Sequence, residues 1–214
     1  MNIAAQPRGG VPMALVIMAV TVVAYFFQFS NLNEALRLFA LWPLATAAAP
    51  DLAGIDVGFA PWQLVSYGFL HGGLAHLFFN MFALYMFGRP IESAWGTRRF
   101  LIFYFVCLVG AGLVQLVVAA VSGQVYPTIG ASGAVFGLLL AFGMMYPNST
   151  IMLLIPPIPM KAKWFVIGYG LLTLFFGMTG TMSGIAHFAH LGGMLFGLAL
   201  ILFWGRQDFH RRQR

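Results

Sequence analysis

The feature that most constrains this chain is a stretch of about sixty residues, between Arg99 and Lys161, without a single charged side chain. Only 7% of the 214 residues are charged and 61% are hydrophobic, which is far from the composition of soluble domains. In lipid, backbone polar groups must be satisfied within helices or closed barrels. We therefore expect an all-α integral membrane protein.

The apolar residues group into six segments that are long enough, or nearly so, to cross a bilayer, which takes about 20 residues of helix. A glycine pair, Gly72-Gly73, is expected to break the second segment and to delay its regular helix until about Leu74. Prolines separate the fourth and fifth segments. The six predicted segments are 11–29, 61–87, 100–121, 128–146, 164–178 and 184–204.

Positive charges predict how these segments are oriented, because Lys and Arg accumulate in cytoplasmic loops. With six crossings and a cytoplasmic N-terminus, ten of the eleven basic residues fall inside and only Arg37 falls outside. Both termini are therefore predicted to be cytoplasmic. We expect one membrane domain over residues 1–214, with a short N-terminal tail (1–10), an outer loop (30–60) and a basic C-terminal tail (205–214). Because the basic residues are scattered between apolar segments, they do not suggest a nucleic-acid partner.

Several polar side chains are expected together at the outer ends of the second, fourth and sixth segments, which run in the same direction. Ser132 lies near the start of the fourth segment and His190 in the second turn of the sixth. His76 and Asn80 are four residues apart on the second segment, so they share one side of a helix. Polar groups at membrane depth are costly and usually functional, which suggests a nucleophile with its base.

Small residues would allow the fourth and sixth segments to approach closely. Gly133 and Gly137 form one small surface, and Gly193 and Gly197 follow His190 on the other helix. Such spacing favours close backbone contact between membrane helices. The Ser132 hydroxyl and the His190 imidazole are then expected at hydrogen-bond distance, about 2.6 to 3.2 Å.

Three motifs, in order, resemble those of the rhomboid family of intramembrane serine proteases. They are the run from His71 to Asn80, the run from Gly130 to Gly133, and the run Ala189-His190-Leu191-Gly192-Gly193, with a Gly-Arg-Pro-Ile-Glu turn at 88–92. The resemblance covers nearly the whole chain and implies a six-helix bundle. It also implies that Ser132 is the nucleophile, that His190 is the base, and that His76 and Asn80 line the oxyanion site.

The chemistry of the residues agrees with this resemblance. The five acids fall outside the predicted segments, so no buried carboxylate is expected to orient the histidine and a two-residue dyad remains. Loss of water disfavours a charged imidazole, so His190 is expected to be neutral. The Ser132 backbone amide, Asn80 and His76 are the expected oxyanion donors. We expect supporting roles for Gly130, Gly133, Phe136 and His71.

Two positions depart from the family pattern. Phe136 stands where many relatives have a tyrosine that stacks on the catalytic histidine. The outer loop lacks a common Trp-Arg pair and has Leu41-Trp42-Pro43 instead. A connection of this length is expected to have structure of its own. Its apolar residues Phe39, Leu41 and Trp42 suggest that it dips into the membrane interface. His187 is a weaker candidate for the base than His190, which precedes Gly-Gly at the family spacing.

The resemblance implies that the substrates are transmembrane segments of other proteins, cut near the outer membrane boundary of a bacterial inner membrane. No metal or organic cofactor is expected, because the His-Glu-x-x-His pattern of zinc proteases is absent. Two alternatives remain: an inactive rhomboid-like binding protein or chaperone, and a haem or metal protein. The second would use His71, His76, His187 and His190.

Overall fold

A computed structural model describes residues 10–44, 57–153, 156–180 and 186–212, with side chains described as far as Arg206. The part of the expected N-terminal tail before Gly10, residues 45–56 of the outer loop, Gly184 at the expected start of the sixth segment, and the last two residues of the expected C-terminal tail lie outside the described residues. Over the described part the chain is mostly helical.

The described helices are numbered here in chain order, and short 3-10 and π-helical turns connect some of them. A 3-10 turn at Tyr67–Phe69 follows α3, and a π-helical turn at Leu84–Gly88 joins α4 to α5. The helices are α1 (Met13–Ser30), α2 (Leu32–Phe39), α3 (Gln63–Ser66), α4 (Leu74–Ala83), α5 (Arg89–Trp95), α6 (Thr97–Ser122), α7 (Ser132–Met145), α8 (Ala162–Thr179) and α9 (His187–Arg212).

Four described helices are long and apolar enough to cross a membrane: α1, α6, α8 and α9. A fifth crossing is possible if the helical stretch from Gln63 to Phe69 and the stretch from Leu74 to Trp95 count as one span, which bends by 102° at the glycine pair. Leu74 begins the regular helix, as the sequence predicted. The chain is a multi-pass membrane protein.

The fourth predicted segment is shorter than expected. We predicted a helix from Thr128, but α7 begins at Ser132 and has 14 residues. Thr128 is extended because its backbone N–H and C=O pair with those of Leu41, at 2.9 and 3.0 Å. A helix of this length spans only about 21 Å, which is less than the hydrocarbon core.

Helix α6 lies at the centre of the bundle and α8 at its edge. In the most apolar 18-residue stretch of α6, half of the residues are buried, whereas in α8 only 17% are buried. The fully buried side chains of α6 are Phe100, Phe103, Tyr104, Cys107, Leu108 and Ala111. The bundle core therefore forms around α6, α7 and α9.

Glycines bring α7 and α9 into backbone contact, as the sequence predicted. A Cβ on Gly193 would overlap the carbonyl group of Gly133. Four residues further along both helices, a Cβ on Gly197 would lie 3.5 Å from the Cα of Gly137. The matching register shows that α7 and α9 run in the same direction, so their first turns meet at one end of the bundle.

The outer loop has structure of its own, but two of its residues are not where we expected them. Helix α2 and the pairing of Leu41 with Thr128 order the described part. Leu41 and Trp42 are buried inside the protein instead of facing the membrane interface. Gln63 explains part of this burial, because its side chain accepts a hydrogen bond from the Trp42 backbone N–H at 3.2 Å and donates one to the Gly58 carbonyl at 3.0 Å.

One carboxylate is buried, which the sequence analysis did not predict. Glu92 is 4% exposed on α5, within the stretch that forms the bent fifth candidate span. It accepts hydrogen bonds from the backbone N–H groups of Met13 and Ala14, at 2.8 and 3.0 Å, and from the Thr97 hydroxyl at 3.0 Å. The carboxylate therefore caps the start of α1, which explains why burial is tolerated.

A short hairpin separates α7 from α8. Its strands, β1 (Thr150–Met152) and β2 (Pro159–Lys161), pair antiparallel. The prolines expected to separate two helices therefore belong to this hairpin.

Candidate active site

Ser132 and His190 meet where the first turns of α7 and α9 come together. His190 Nε2 lies 2.7 Å from Ser132 Oγ. A neutral imidazole that accepts this hydroxyl proton at Nε2 carries its own proton on Nδ1. The helix α9 begins at His187, so His190 is in the first turn and not the second as we expected. The structure thus brings together the two side chains that the sequence predicted as a pair.

The His190 ring is held by an aromatic face. Phe136, one turn after Ser132 on α7, stacks on it with a centroid separation of 4.2 Å and an angle of 11° between the ring planes. The ring that the sequence analysis singled out therefore contacts the imidazole without a hydroxyl group. Stacking fixes the plane in which Nε2 points toward Ser132.

His76 approaches the serine from α4. The Gly72 backbone N–H donates to His76 Nδ1 at 3.2 Å, so the proton of the neutral ring belongs on Nε2. A Cβ on Gly130 would lie 2.9 Å from His76 Nε2 and 3.7 Å from Ser132 Oγ. Gly130 has a φ of +122°, which glycine adopts without strain. The space beside this glycine is therefore bordered by both the His76 ring and the serine hydroxyl.

Asn80 and the Ser132 amide supply further polar groups at this end of the bundle. The buried Asn80 side chain donates one N–H to the His76 carbonyl at 2.9 Å, which leaves its second N–H for another acceptor. Ser132 is the first residue of α7, where backbone N–H groups have no partner within the helix. Gly130 lies beside both His76 and Ser132, and Asn80 is one turn after His76 on α4. Their common role in an oxyanion site stays a prediction.

His71 lies behind His76 and does not contact the dyad directly. Its ring meets the His76 ring edge to face, with 5.0 Å between centroids. It is almost fully buried, and neither of its ring nitrogens has a hydrogen-bond partner among the described residues. Its backbone is held by Gln28 of α1, whose side chain donates to the His71 carbonyl and accepts from the His71 N–H, both at 2.9 Å.

His187 is also buried near the dyad, but it does not bind the serine. Its ring is edge-on to His190 at 6.3 Å and packs against Phe176 of α8 at 5.8 Å. Of the two histidines in the first turn of α9, His190 is the one at hydrogen-bond distance from Ser132.

Sequence reasoning missed three residues that shape the site. Gln28 is a single amide within an apolar helix, and that isolation was a usable signal. The Tyr67 carbonyl accepts a hydrogen bond from the Gly130 N–H at 2.9 Å, and the Tyr67 hydroxyl donates one to the Leu108 carbonyl at 2.7 Å. Tyr169 of α8 stacks on Phe136. Nothing in the local sequence distinguishes the two tyrosines, because their partners lie on other helices.

Gly133 supports the site through packing, since it lies against Ala111 of α6 and Gly193 of α9. Over the residues that the structure describes, no three His, Cys, Asp or Glu side chains come together as a metal-binding group.

The chain is similar in sequence to known rhomboid proteins. A rhomboid-domain family model matches residues 58–207. Rhomboid protease GlpG of Serratia proteamaculans is 28% identical over 94% of this chain and 66% of its own length. RHOMBOID-like protein 4 of Arabidopsis thaliana is 31% identical over 82% of this chain and 42% of its own.

A further relative, Rhomboid protease GlpG of Yersinia pestis, is 25% identical over 94% of this chain and 65% of its own length. The chain thus spans just under two thirds of the two GlpG proteins and less than half of the plant protein. Since the family model covers well over half of the residues, the chain belongs to the rhomboid family.

Proposed function

We propose that this protein is an intramembrane serine endopeptidase that cleaves transmembrane segments near their outer membrane boundary. The observation that carries the proposal is the 2.7 Å contact between Ser132 Oγ and His190 Nε2, within a bundle of apolar helices. Membership of the rhomboid family and the two relatives named as rhomboid proteases support it.

In the proposed first step, Ser132 Oγ attacks the substrate carbonyl carbon while His190 Nε2 takes the hydroxyl proton. The carbonyl oxygen becomes an oxyanion, and the Ser132 N–H, the His76 Nε2–H and the free N–H of Asn80 are the donors we assign to it. The His190 imidazolium then gives its proton to the leaving amine. This leaves an acyl group on Ser132.

In the second step, His190 takes a proton from water, and the resulting hydroxide attacks the acyl carbon. The tetrahedral intermediate collapses, the carboxylate product leaves and Ser132 regains its proton. Substrate helices must unwind before either step, because a helical carbonyl is already hydrogen-bonded. Glycine near the cut makes this easier.

We further propose six crossings with both termini in the cytoplasm. The bent helical stretch from Gln63 to Trp95 would be the second crossing and the short α7 the fourth. Relatives from two bacterial species support our assignment to a bacterial inner membrane.

The proposal is tested with purified full-length protein in liposomes that also hold a single-pass test substrate. Ser132→Ala and His190→Ala should each reduce cleavage below detection, since losing a nucleophile or its base typically costs about 10⁶-fold. Ser122→Ala, at the exposed end of α6, is the matched control and should cleave normally.

A fluorophosphonate provides a readout that does not depend on the choice of substrate. It should label the unaltered protein at Ser132 and leave Ser132→Ala unlabelled. If the unaltered protein neither cleaves nor reacts, the protease assignment is wrong and an inactive rhomboid-like protein takes its place.

A further inference from the structure

The aromatic contact on His190 is the first of a longer series. Phe136 stacks on His190, Tyr169 stacks on the same Phe136 ring at 5.0 Å and 19°, and Phe165 stacks on Tyr169 at 5.5 Å and 11°. Four rings with nearly parallel neighbours thus connect the imidazole on α9, through α7, to α8.

The far end of this series belongs to the least enclosed of the four full-length candidate spans. Only 17% of α8 is buried, the lowest fraction of the four. Of its 18 residues, Ala162, Val166 and Thr173 are buried. Tyr169 is 42% exposed, although Phe136 stacks on its ring. The position of α8 therefore depends on a few contacts, and the ring stack is one of them.

A second pair of ring contacts links α8 to His190 through His187. Phe176 packs on His187, and the His187 ring meets the His190 ring edge-on. A Cβ on the neighbouring Gly177 would lie 3.2 Å from His187 Cβ, so α8 and α9 are close at this level. Two rings that contact His190, those of Phe136 and His187, therefore also contact rings of α8.

We propose that Tyr169 is a positioning residue for His190, acting through Phe136, so that the placement of α8 sets the orientation of the base. This inference rests on the proposed function. Phe136 has His190 on one face and Tyr169 on the other. Without the second ring, nothing in the stack opposes tilting of Phe136 away from the imidazole. For part of the time, His190 Nε2 would then no longer be aligned to accept the hydrogen bond from Ser132 Oγ.

The expected effect is on the chemical step and not on substrate binding. Stacked aromatic pairs make a modest contribution, so loss of the Tyr169 ring should lower kcat by about three- to tenfold. Removing the ring should leave KM near its original value. The rate of Ser132 labelling by a fluorophosphonate should fall by the same factor, because that small probe reacts at the serine without needing a substrate helix to enter.

The test compares Tyr169→Leu with Tyr169→Phe in the full-length protein. Leucine keeps apolar bulk without a ring, whereas phenylalanine keeps the ring without the hydroxyl, so Tyr169→Phe should restore both kcat and labelling. Leu172→Ala is the matched control on the same helix, with 45% exposure and no aromatic ring, and should leave both rates unchanged. Tyr169→Met is a second ring-free variant should the leucine variant not fold.

A double variant tests the route of the effect. If Tyr169 acts through Phe136, the combined Phe136→Leu and Tyr169→Leu change should slow the reaction no more than Phe136→Leu alone. Additive losses would overturn the inference. Unchanged kcat and labelling in Tyr169→Leu would overturn it too, as would an equal loss in Tyr169→Phe, because the hydroxyl and not the ring would then matter.

The unaltered protein separates the two proposals. If the unaltered protein and the Tyr169 variants all cleave and react at the same rates, only the positioning role is wrong. If the unaltered protein itself shows neither cleavage nor labelling, the protease assignment fails first.

Discussion

At the scale of single residues, the site depends on a glycine as much as on the reactive side chains. Gly130 has a positive φ, and the place of its missing Cβ is beside the His76 ring edge and within 3.7 Å of Ser132 Oγ. Tyr67 fixes its backbone by accepting the Gly130 N–H. A side chain here would occupy the space that we assign to the oxyanion.

Gly130→Ala should therefore lose activity. The new methyl group would lie 2.9 Å from two atoms of the His76 ring, so the ring must shift, and the φ of +122° adds strain. Displacing one oxyanion donor typically costs about 10²- to 10³-fold in kcat, which a cleavage assay in liposomes would detect. Gly123→Ala is the control, since Gly123 also has a positive φ but has open space around it. Equal losses in both variants would contradict this explanation.

Residue-scale prediction from sequence succeeded where a motif fixed the residue type. The sequence singled out Ser132 and His190, which lie 2.7 Å apart, because polar side chains stand out within apolar helices. The oxyanion roles of His76 and Asn80 stay predictions. Tyr169 and Tyr67 were missed because tyrosine is common in membrane helices and their partners are distant in sequence. The two unpartnered ring nitrogens of His71 are likewise visible only once α1 and α4 are packed together.

At the scale of helices, the approach of α7 to α9 determines whether the serine and the histidine can meet. Gly133 and Gly193 lie where a methyl group on one helix would overlap the backbone of the other. Ser132 directly precedes Gly133 on α7, and His190 lies about one turn before Gly193 on α9. Any separation of the two axes at Gly193 is thus transmitted to the distance between Ser132 Oγ and His190 Nε2.

Gly193→Ala should therefore reduce cleavage by about 10²-fold or more, the loss that a misplacement of about 1 Å can cause. Gly205→Ala on the same helix is the matched control, because a Cβ there has open space and should leave activity unchanged. The kcat of both variants in liposomes, with their unfolding curves, provides the measurement. A fully active Gly193→Ala protein would show that the close approach is not required.

The start of α1 depends on a side chain from α5. Glu92 accepts two N–H groups of α1, and Pro12, which precedes the helix, provides no side-chain cap. Glu92→Ala should lower the free energy of unfolding by about 2 to 3 kcal/mol. The hydrogen bonds to the buried carboxylate are lost, and the backbone N–H groups that donated them are left without an acceptor. SDS titration of the purified protein measures this value.

Glu92→Gln should cost less than Glu92→Ala, since its amide oxygen can still accept one of the N–H groups. The matched control is Glu34→Ala, which removes an exposed ion pair with Arg37 and should change stability by less than about 1 kcal/mol. If Glu34→Ala costs as much as Glu92→Ala, the capping role is wrong.

The lengths of apolar runs predicted most helices, because spanning a bilayer imposes a minimum length on each. They failed at Thr128, where pairing with Leu41 holds the backbone extended. They also failed at Leu41 and Trp42, which are buried among protein side chains although their composition suggested the membrane interface. In each case a contact between distant segments overrides the local pattern.

At the scale of the whole molecule, function depends on which side of the membrane the dyad faces. The first turns of α7 and α9 form one end of the bundle, and the loop before α7 reaches the same end. The hairpin β1–β2 follows α7 at its other end. Ten of the eleven basic residues fall on the cytoplasmic side in our proposed topology, which places the dyad near the outer face.

Cysteine labelling in intact bacterial cells tests this topology. The single native cysteine, Cys107, is buried and should give little background. Gln124→Cys lies in the exposed loop between α6 and α7, and Asn148→Cys lies between α7 and the hairpin. A membrane-impermeant thiol reagent should label Gln124→Cys in whole cells, because that loop is predicted outside, and should label Asn148→Cys only after the cells are broken. The opposite pattern would invert the bundle and place the dyad at the cytoplasmic face, so cleavage near the outer boundary would have to be abandoned even if the protein is an active protease.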